Sequence, residues 1–262
     1  MKKNITLHNI LNDRTSGSSE ILLKLNEFIK NSIRDPQQIK LAIKQTKKNL
    51  SHFEVINEHL NSIEKIITSG DYNKLESYLS GFDSLLQSKY VKLYNNAKPF
   101  LKNIKTILTL SNSKTLLEVL KLFRQENKKL KIIICESRPK FEGKIFADAL
   151  LNLNIKVELI YDFMISLYLP KVDAVIIGAD KILKNGNVIN KSGSKAAAIL
   201  CRYFNKPFYV ITTKEKFSSS RSFIPSLMQT NEVWNAKRRN LKISNIYFEE
   251  IPANLITKLI TD

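Results

Sequence analysis

The sequence predicts an α/β protein, with a helical N-terminal domain in residues 1–99 and, in residues 100–262, a mainly parallel sheet that carries helices on both faces. Three observations predict this arrangement. Apolar residues recur at helical spacing through the first hundred positions, and short β-branched runs alternate with helical patterns after Pro99. The chain of 262 residues, 43% of them hydrophobic, is also large enough to bury a core.

The first hundred residues have the apolar spacing of amphipathic helices. The positions that carry it are Ile21, Leu22, Leu25, Phe28, Ile29, Ile33, Ile39, Ile43, Leu50, Phe53, Ile56, Leu60, Ile63, Ile67, Leu75, Leu79, Phe82, Leu85, Leu86 and Tyr90. Gly70-Asp71 interrupts the pattern, and it weakens near Asn95-Asn96 and Pro99. His52 and His59 fall within these helices, where we expect them to be surface or capping residues rather than ligands.

Five short runs rich in β-branched residues predict the strands of the second domain. They are KTILTL, KIIICE, KVELIY, DAVIIG and FYVITT. Helical patterns follow most of them, which indicates βαβ units, and a parallel sheet of this kind with helices on both faces is Rossmann-like. The second domain has no G-x-G-x-x-G turn, so a dinucleotide is not indicated and no cofactor is expected.

Polar residues follow four of the predicted strands at the point where each strand ends. These groups are Thr109-Leu110-Ser111-Asn112-Ser113, Glu136-Ser137-Arg138-Pro139, Tyr161-Asp162 and Gly178-Ala179-Asp180. In an open parallel sheet, ligands bind beyond the carboxyl ends of the strands, because the loops open a crevice there. We therefore expect the functional site at this edge of the sheet.

The segment Asn190-Lys191-Ser192-Gly193 is predicted to open a helix, whose free backbone N–H groups and positive dipole end suit a phosphate. Arg138 and Lys191 would add cations. Asp180 would add a carboxylate that exchanges protons with a polyol or accepts its hydrogen bonds. This combination indicates a phosphorylated sugar as the ligand.

Each of these residues also has a purely structural interpretation. Asp180 could cap the turn after its strand, and Arg138 could pair with Glu136. Lys191 could be a solvated lysine, but a cation at the positive end of a helix is unfavourable without an anion, which makes Lys191 the better indicator of a ligand. Cys135 is expected in the core, with a reactive thiol near Arg138 as the minor alternative.

The charge of the chain is strongly positive. Lys and Arg number 42 against 24 Asp and Glu, which gives a net charge of +18 and favours an anionic ligand, an acidic partner or nucleic acid. The basic residues are spread along the chain, without an Arg-rich stripe that includes stacking aromatic residues. A solvated basic surface is therefore the preferred interpretation, and nucleic-acid binding is not expected.

The cysteine and histidine positions bear on metals and on compartment. Two distant cysteines, and three histidines in the first quarter of the chain, give no zinc-type spacing, so no metal site is expected. The segment MKKNITLHNILNDRTSG has no long apolar region, and no apolar run reaches bilayer length. We expect a cytoplasmic protein that does not contact a membrane.

Five ordered segments resemble one known family. They are ILTLSNS, CESRPKFEGK, IIGADKILKNGNVINKSGS, KPFYVITTKEKF and SNIYFEEIP. The family joins the α, β and δ subunits of the eukaryotic translation initiation factor 2B to archaeal and bacterial isomerases that act on ribose 1,5-bisphosphate and methylthioribose 1-phosphate. The resemblance covers nearly the whole chain. It implies a helical domain joined to a Rossmann-like domain, through which such proteins commonly form a homodimer.

The resemblance also assigns roles to two positions at the strand ends. The family isomerases move a proton between neighbouring sugar carbons with a cysteine and the Asp of a Gly-Ala-Asp motif, and Asp180 matches that Asp. Ser111 falls on the cysteine, and Leu110 falls on the histidine before it. A serine hydroxyl is a far weaker acid than a thiol, whose ordinary pKa is about 8.5, so the catalytic pair of the family is changed in this sequence.

A further segment, DRTSGSSE, resembles the part of the family that holds a phosphate with a basic residue followed by Gly-Ala. Gly17 and Ser18 match the Gly-Ala pair. Ser16 replaces the basic residue, and Arg14 is the candidate substitute for it.

Two functional hypotheses follow, and a third rests on the net charge alone, namely direct nucleic-acid binding. The first is a regulatory, non-catalytic protein, similar to the α subunit of initiation factor 2B, that binds a sugar phosphate or nucleotide and has a second copy or a translation factor as its partner. Its predicted binding residues are Arg14, Gly17, Ser18, Arg138, Asn190 and Lys191. The alternative is an aldose–ketose isomerase of a phosphorylated pentose such as ribose 1,5-bisphosphate, in which Asp180 transfers the proton with Ser111 or Cys135 as its helper. The changes at Leu110 and Ser111 favour the first hypothesis.

Overall fold

A computed structural model describes residues 5–13, 16–51 and 53–262. Arg14 and His52, two residues named in the sequence analysis, lie outside the described residues.

The described N-terminal region is helical, as predicted. Its helices are α1 (Leu7–Leu11), α2 (Ser18–Asn31), α3 (Pro36–Asn49), α4 (Glu54–Thr68) and α5 (Tyr72–Leu101). Asp35 and Asp71 cap α3 and α5 by accepting hydrogen bonds from the third backbone N–H along each helix, which satisfies donors that have no partner within the helix. Most of the apolar positions that predicted these helices pack together in one buried cluster.

His59 corrects the prediction that it lies at the surface. This residue of α4 is only 4% exposed, because it shares a buried helix face with Ile56, three residues before it, and Ile63, four residues after it. Burial lowers the pKa of His59 to about 4, so the ring is neutral at neutral pH.

Helix α5 contributes to two hydrophobic clusters. Its first part, from Leu75 to Tyr90, packs with the other N-terminal helices, whereas Leu93 to Leu101 pack against the sheet. The helix continues through Pro99, where the sequence pattern weakens. The division of the chain into domains at residue 99 remains a prediction.

In the described part of the chain, six strands form a parallel sheet. They are β1 (Thr106–Thr109), β2 (Lys131–Cys135), β3 (Lys156–Ile160), β4 (Ala174–Ile177), β7 (Phe208–Ile211) and β9 (Lys258–Ile260), in the spatial order β3-β2-β1-β4-β7-β9. The five strands predicted from β-branched runs are all present, and β9 is an additional edge strand. The order reverses between β1 and β4, which is where ligands bind in doubly wound folds.

Helices cover both faces of this sheet, which confirms the predicted fold class. They are α6 (Lys114–Glu126), α7 (Glu142–Leu151), α8 (Ile165–Tyr168) and α9 (Ser194–Tyr203). Alternate residues of each strand point to opposite faces, so Ile107 and Ile176 pack with α5, α6 and α7, whereas Leu108 and Val175 pack with α8 and α9.

A small antiparallel sheet lies beside the main one and corrects one prediction. It contains β5 (Lys181–Ile182), β6 (Val188–Lys191) and β8 (Phe248–Ile251), in the order β5-β6-β8. Asn190 and Lys191 therefore end a strand, whereas the sequence placed them at the opening of a helix. None of the helices described is both long enough and apolar enough to cross a bilayer.

Candidate functional site

A cleft lies at the point where the strand order reverses, between the carboxyl ends of β1 and β4. It consists of two adjoining cavities that share Gly17, Ser111, Asn112 and Asp180 among their lining residues. The sheet therefore supplies one side of the cleft, and the start of α2 supplies another. The free volumes are small, about 70 Å³ and 30 Å³, so a sugar phosphate would have to widen the cleft on entry.

The structure brings most of the predicted site residues together here. The residues that line the cleft are Gly17, Ser18, Ser111, Asp180, Asn190 and Lys191. Arg138 does not line it. Its side chain is exposed, and its guanidinium lies 4.9 Å from the centre of the Phe141 ring. The expected pairing partner of Arg138, Glu136, forms an ion pair with Lys144 instead, at 3.7 Å.

Asp180 is the acid of the cleft. The buried strand β4 ends at Ile177, and the Asp180 backbone N–H donates to the Ile189 carbonyl at 2.9 Å, which joins the strand end to the small sheet. Burial raises the pKa of Asp180, and the positive charges of Lys216 and Lys191 oppose part of that increase. The carboxyl group thus combines a low-dielectric position with two cations nearby.

Ser111 follows β1 and has a strained backbone, with a φ of 65°. Its N–H donates to Ser137 Oγ at 2.7 Å, and Ser137, after β2, is also left-handed, with a φ of 63°. The Asp162 carboxylate after β3 accepts from the N–H groups of Ser137 and Arg138, both at 2.8 Å. Three consecutive strand ends are therefore tied together, which fixes the position of Ser111 in the cleft.

Lys191 is buried, only 2% exposed, and so it is not a solvated lysine. Its ammonium group donates to Glu142 Oε1 at 2.7 Å and lies 4.5 Å from the centre of the Tyr247 ring. Burial raises the pKa of Glu142, and Lys191 opposes that increase. Glu142 Oε2 is buried and has no hydrogen-bond partner among the described residues. The pair is thus a buried salt bridge with one acceptor left over.

Two backbone N–H groups at the start of α9, where the sequence predicted a phosphate, already have a protein acceptor. The N–H groups of Gly193 and Lys195 both donate to Glu249 Oε1, at 2.6 and 2.9 Å. Pairing of β6 with β8 places Glu249 opposite Asn190 and thereby brings its carboxylate to the helix start. The side chain of Glu249 occupies the place predicted for an anionic ligand. Asn190 is buried and donates to Ser194 Oγ at 2.9 Å.

Lys216 is the site residue that the sequence interpretation missed. It lies at the end of the short 3₁₀ helix Lys214–Lys216 after β7, is 3% exposed, and donates to Ser18 Oγ. Burial lowers the pKa of Lys216, and Asp180 opposes that change. The strand-end rule that identified Asp180 applies equally to β7, so it could have indicated this lysine.

Two further residues bear on the expectations for a thiol and for a basic residue before Gly17. Cys135 is buried, and burial together with the charge of Asp162 raises its pKa to about 12, so it is a core residue. Lys24 donates to Ser16 Oγ at 2.8 Å and to Asp13 at 2.9 Å, so a cation from the next turn of α2 reaches the segment where the family has its basic residue. The described residues form no group of three or more His, Cys, Asp or Glu side chains suited to a metal ion.

Comparisons with known proteins agree with this architecture. The sequence matches the initiation factor 2 subunit family over residues 12–262. It is 27% identical over 248 residues to the ribose 1,5-bisphosphate isomerase of Methanocaldococcus jannaschii, which covers 90% of this chain and 77% of that protein. It is 32% identical over 160 residues to a putative translation initiation factor eIF-2B subunit 2-like protein of Pyrococcus abyssi, which covers 60% of this chain and 55% of that protein.

A solved structure shows the same fold. The crystal structure of the Pyrococcus horikoshii translation initiation factor eIF-2B superposes with a TM-score of 0.79 at 24% identity, and the match covers 97% of this chain and 92% of that one. Relatives with both kinds of name, isomerase and initiation factor, therefore have sequences similar to this one.

Proposed function

The chain belongs to the initiation factor 2 subunit family, and from that premise we propose that it is a binding protein similar to the α subunit of initiation factor 2B. In this proposal the cleft binds a phosphorylated sugar or a nucleotide without isomerising it. We further propose a cytoplasmic location and a role as a regulatory subunit, with a translation factor as a protein partner.

The identity of residue 111 carries the non-catalytic part of the proposal. Isomerisation moves a proton between two carbons, which requires groups that change protonation near neutral pH. Burial raises the pKa of Asp180, which moves its protonation toward that range. The residue that follows β1 and lines the same cleft is Ser111, and its hydroxyl does not ionise in that range. The Cys135 thiol does not replace the missing cysteine at position 111, because burial raises its pKa to about 12.

The cations of the cleft support the binding part. Lys216 is buried, donates a hydrogen bond to the Ser18 hydroxyl and forms no ion pair within 4 Å among the described residues. A phosphate bound in the cleft could therefore be the counter-ion of Lys216. Lys191 is already paired with Glu142. Gly17 allows the Asn112 backbone to approach it closely at the cleft, since a Cβ at Gly17 would lie 3.0 Å from the Asn112 carbonyl oxygen. Asp180 would accept hydrogen bonds from the hydroxyl groups of the sugar.

The binding test uses Lys216→Met, which keeps the length of the side chain and removes its charge. Calorimetry with ribose 1,5-bisphosphate, ribose 5-phosphate and adenosine monophosphate should show at least one ligand binding to the parent protein. Lys216→Met should lower the affinity for that ligand by about tenfold or more, because a hydrogen bond to a charged group contributes about 1.5–3 kcal/mol. Lys191 is a poorer test, because its removal would leave Glu142 buried without its ion-pair partner.

The control for this test is Lys98→Met. Lys98 is an exposed lysine on α5 that pairs with Glu126 at 2.8 Å, away from the cleft. The Lys98→Met variant should bind the ligand with the same affinity as the parent protein. Equal binding by Lys216→Met and the parent would mean that the phosphate is held elsewhere, and no binding by the parent would refute the ligand class.

One observation favours the alternative, an aldose–ketose isomerase of a phosphorylated pentose such as ribose 1,5-bisphosphate. The similarity to the Methanocaldococcus jannaschii protein extends over 90% of this chain, and Asp180 remains in the cleft with a raised pKa. In this alternative Asp180 carries the proton between the two carbons and Ser111 assists it. Product analysis after incubation with ribose 1,5-bisphosphate separates the two functions.

We also propose a homodimer formed through the α/β part of the chain. The edge strand β3 and the turn after it expose large apolar side chains, namely Leu159, Tyr161, Phe163 and Leu167. A two-fold axis would cover this patch in both copies at once, because the same surface meets itself.

A further inference from the structure

A second cavity lies between the helical region and the turn that follows β7. It encloses about 260 Å³, and α2, α4 and α5 line it together with Thr213 and Glu215. Its lining shares Ser19 with the cleft, and none of its other lining residues. The function proposed above uses none of the groups that this cavity contains.

An aromatic wall forms one side of the second cavity. The rings of His59 and Tyr78 are nearly parallel, with centroids 5.5 Å apart and an angle of 27° between their planes. Phe82 lies against the same imidazole, with centroids 4.4 Å apart. Leu22, Val55 and Leu86 complete the apolar lining. Flat rings beside aliphatic side chains suit a planar ligand, which can stack on the former and pack against the latter.

Two buried polar atoms of the lining lack partners. His59 Nδ1 lies 3.0 Å from Tyr78 Oη, but His59 Nε2 has no hydrogen-bond partner within the described residues. Glu215 pairs with Lys89 through one oxygen, and its buried Oε2 is likewise unpartnered there. A buried polar atom without a partner is costly, so both atoms favour a ligand that supplies the missing hydrogen bonds.

The polar groups also define which ligands fit. His59 is neutral, so Nε2 donates or accepts a hydrogen bond according to the tautomer. Glu58 and Glu215 place two carboxylates around one lysine, Lys89, which gives an excess of acceptors and of negative charge. Such a lining favours a ligand with N–H donors and disfavours phosphates and carboxylates.

From this arrangement we infer that the second cavity binds a small planar heterocycle that bears an amino group, with adenine as a representative. The ring packs against His59, Tyr78 and Phe82. Its amino group donates to Glu215 Oε2, and a ring nitrogen or an amino hydrogen bonds to His59 Nε2. The site differs from the cleft in the charge of its lining, because its two carboxylates outnumber its one lysine, whereas Lys114, Lys191 and Lys216 all line the cleft.

The test is calorimetry and saturation-transfer NMR with adenine on the full chain, in buffer that contains ribose 5-phosphate throughout to occupy the cleft. Adenine should bind the parent at millimolar concentration or below. Glu215→Gln and His59→Phe should each weaken it by about tenfold, the effect of losing one hydrogen bond to a buried polar partner. Hypoxanthine, which has a carbonyl oxygen in place of the amino group, should bind more weakly than adenine by a similar factor.

One control separates recognition from a general effect of removing a charge. Glu126→Gln removes a glutamate that pairs with Lys98 away from the cavity, and it should leave adenine binding unchanged. Absence of adenine binding to the parent, or equal binding by the parent and Glu215→Gln, overturns the inference. If His59→Phe does not fold, Glu215→Gln and the hypoxanthine comparison still decide the question.

Discussion

Asp180 owes its position to the residues immediately before it. Gly178 allows the chain to pass close to the start of α6, because a Cβ at this position would lie 2.3 Å from Ser113 Oγ. The following turn then directs Asp180 into the cleft, where burial raises its pKa while Lys216 and Lys191 lower it. A carboxyl group in this balance is suited to hydrogen-bond a polyol and, with a suitable partner, to move a proton.

A thiol at residue 111 should supply the missing partner. The parent protein should not interconvert ribose 1,5-bisphosphate and its ketose detectably, whereas Ser111→Cys introduces a group with an ordinary pKa of about 8.5 beside Asp180 and should yield measurable turnover. Adding Leu110→His, which would restore the family's histidine, is unattractive because Leu110 is buried in the apolar cluster beneath the sheet end. NMR analysis of the product mixture measures the outcome.

The accompanying variants identify the source of any turnover. Asp180→Asn in the Ser111→Cys background should abolish it and leave ligand binding largely intact, since an amide still bonds to hydroxyl groups. Ser80→Cys, on the exposed face of α5, should be as inactive as the parent. Rapid isomerisation by the unaltered protein that Asp180→Asn removes would establish the enzyme in place of the binding protein.

Sequence patterns located site residues that follow a predicted strand. They did not reveal the contacts of residues whose partners are distant along the chain. Asp180 and Ser111 follow apolar strands, so the strand-end rule placed both at the cleft. The partners of Lys191 and Gly193, which are Glu142 and Glu249, lie 49 and 56 residues away along the chain. No spacing in the sequence joins such pairs, because they meet only when α7 and β8 have packed.

The same contrast appears in the secondary structure elements. The five short β-branched runs are strands of the parallel sheet. Four of them are largely buried and continuously apolar because helices cover both faces, whereas β3 is a more exposed edge strand. The small antiparallel sheet was missed, because β5 has two residues and β8 reads FEEI, with two glutamates among four positions. The last two residues of β6, Asn190 and Lys191, were predicted to open the next helix, because Asn and Lys give no strand signal and α9 begins shortly after them.

Helix α7 and strand β2 depend on a glycine at their junction. A Cβ at Gly143 would lie 1.8 Å from the Cys135 carbonyl oxygen, which is backbone and cannot move aside cheaply. Gly143→Ala should therefore lower the free energy of unfolding by about 3 kcal/mol, the upper end of overpacking costs, in urea denaturation.

A second glycine provides the matched control. Gly81 lies on the exposed side of α5, and a Cβ there would meet nothing within 4 Å. Gly81→Ala should raise the free energy of unfolding by up to about 1 kcal/mol, because alanine is the better helix former. A Gly143→Ala variant as stable as the parent would show that α7 can shift away from β2.

At the level of the whole molecule, the helical region and the sheet act as one structure around the cleft. Helix α5 packs in both hydrophobic clusters, and Ser18 and Lys216 bring the start of α2 against the turn after β7. The cleft therefore depends on both parts of the chain. The second cavity adjoins the same two segments, through Ser19 and Glu215.

The proposed dimer is the property of the whole molecule that is easiest to test. Phe163 is 92% exposed, next to the edge strand β3 and to Tyr161, and an apolar side chain so exposed beside an open sheet edge favours association with a second copy. The parent should therefore be a dimer in light scattering at micromolar concentration. Phe163→Asp should produce monomers, because a two-fold interface would bury the new charge in both copies, close to its symmetry mate. Ile224→Asp changes an apolar side chain that is 85% exposed in a loop far along the chain, and it should leave the dimer intact. A monomeric parent would contradict both the proposed dimer and the proposed role as a subunit of a larger assembly. A dimer that survives Phe163→Asp would place the interface on another face of the α/β part.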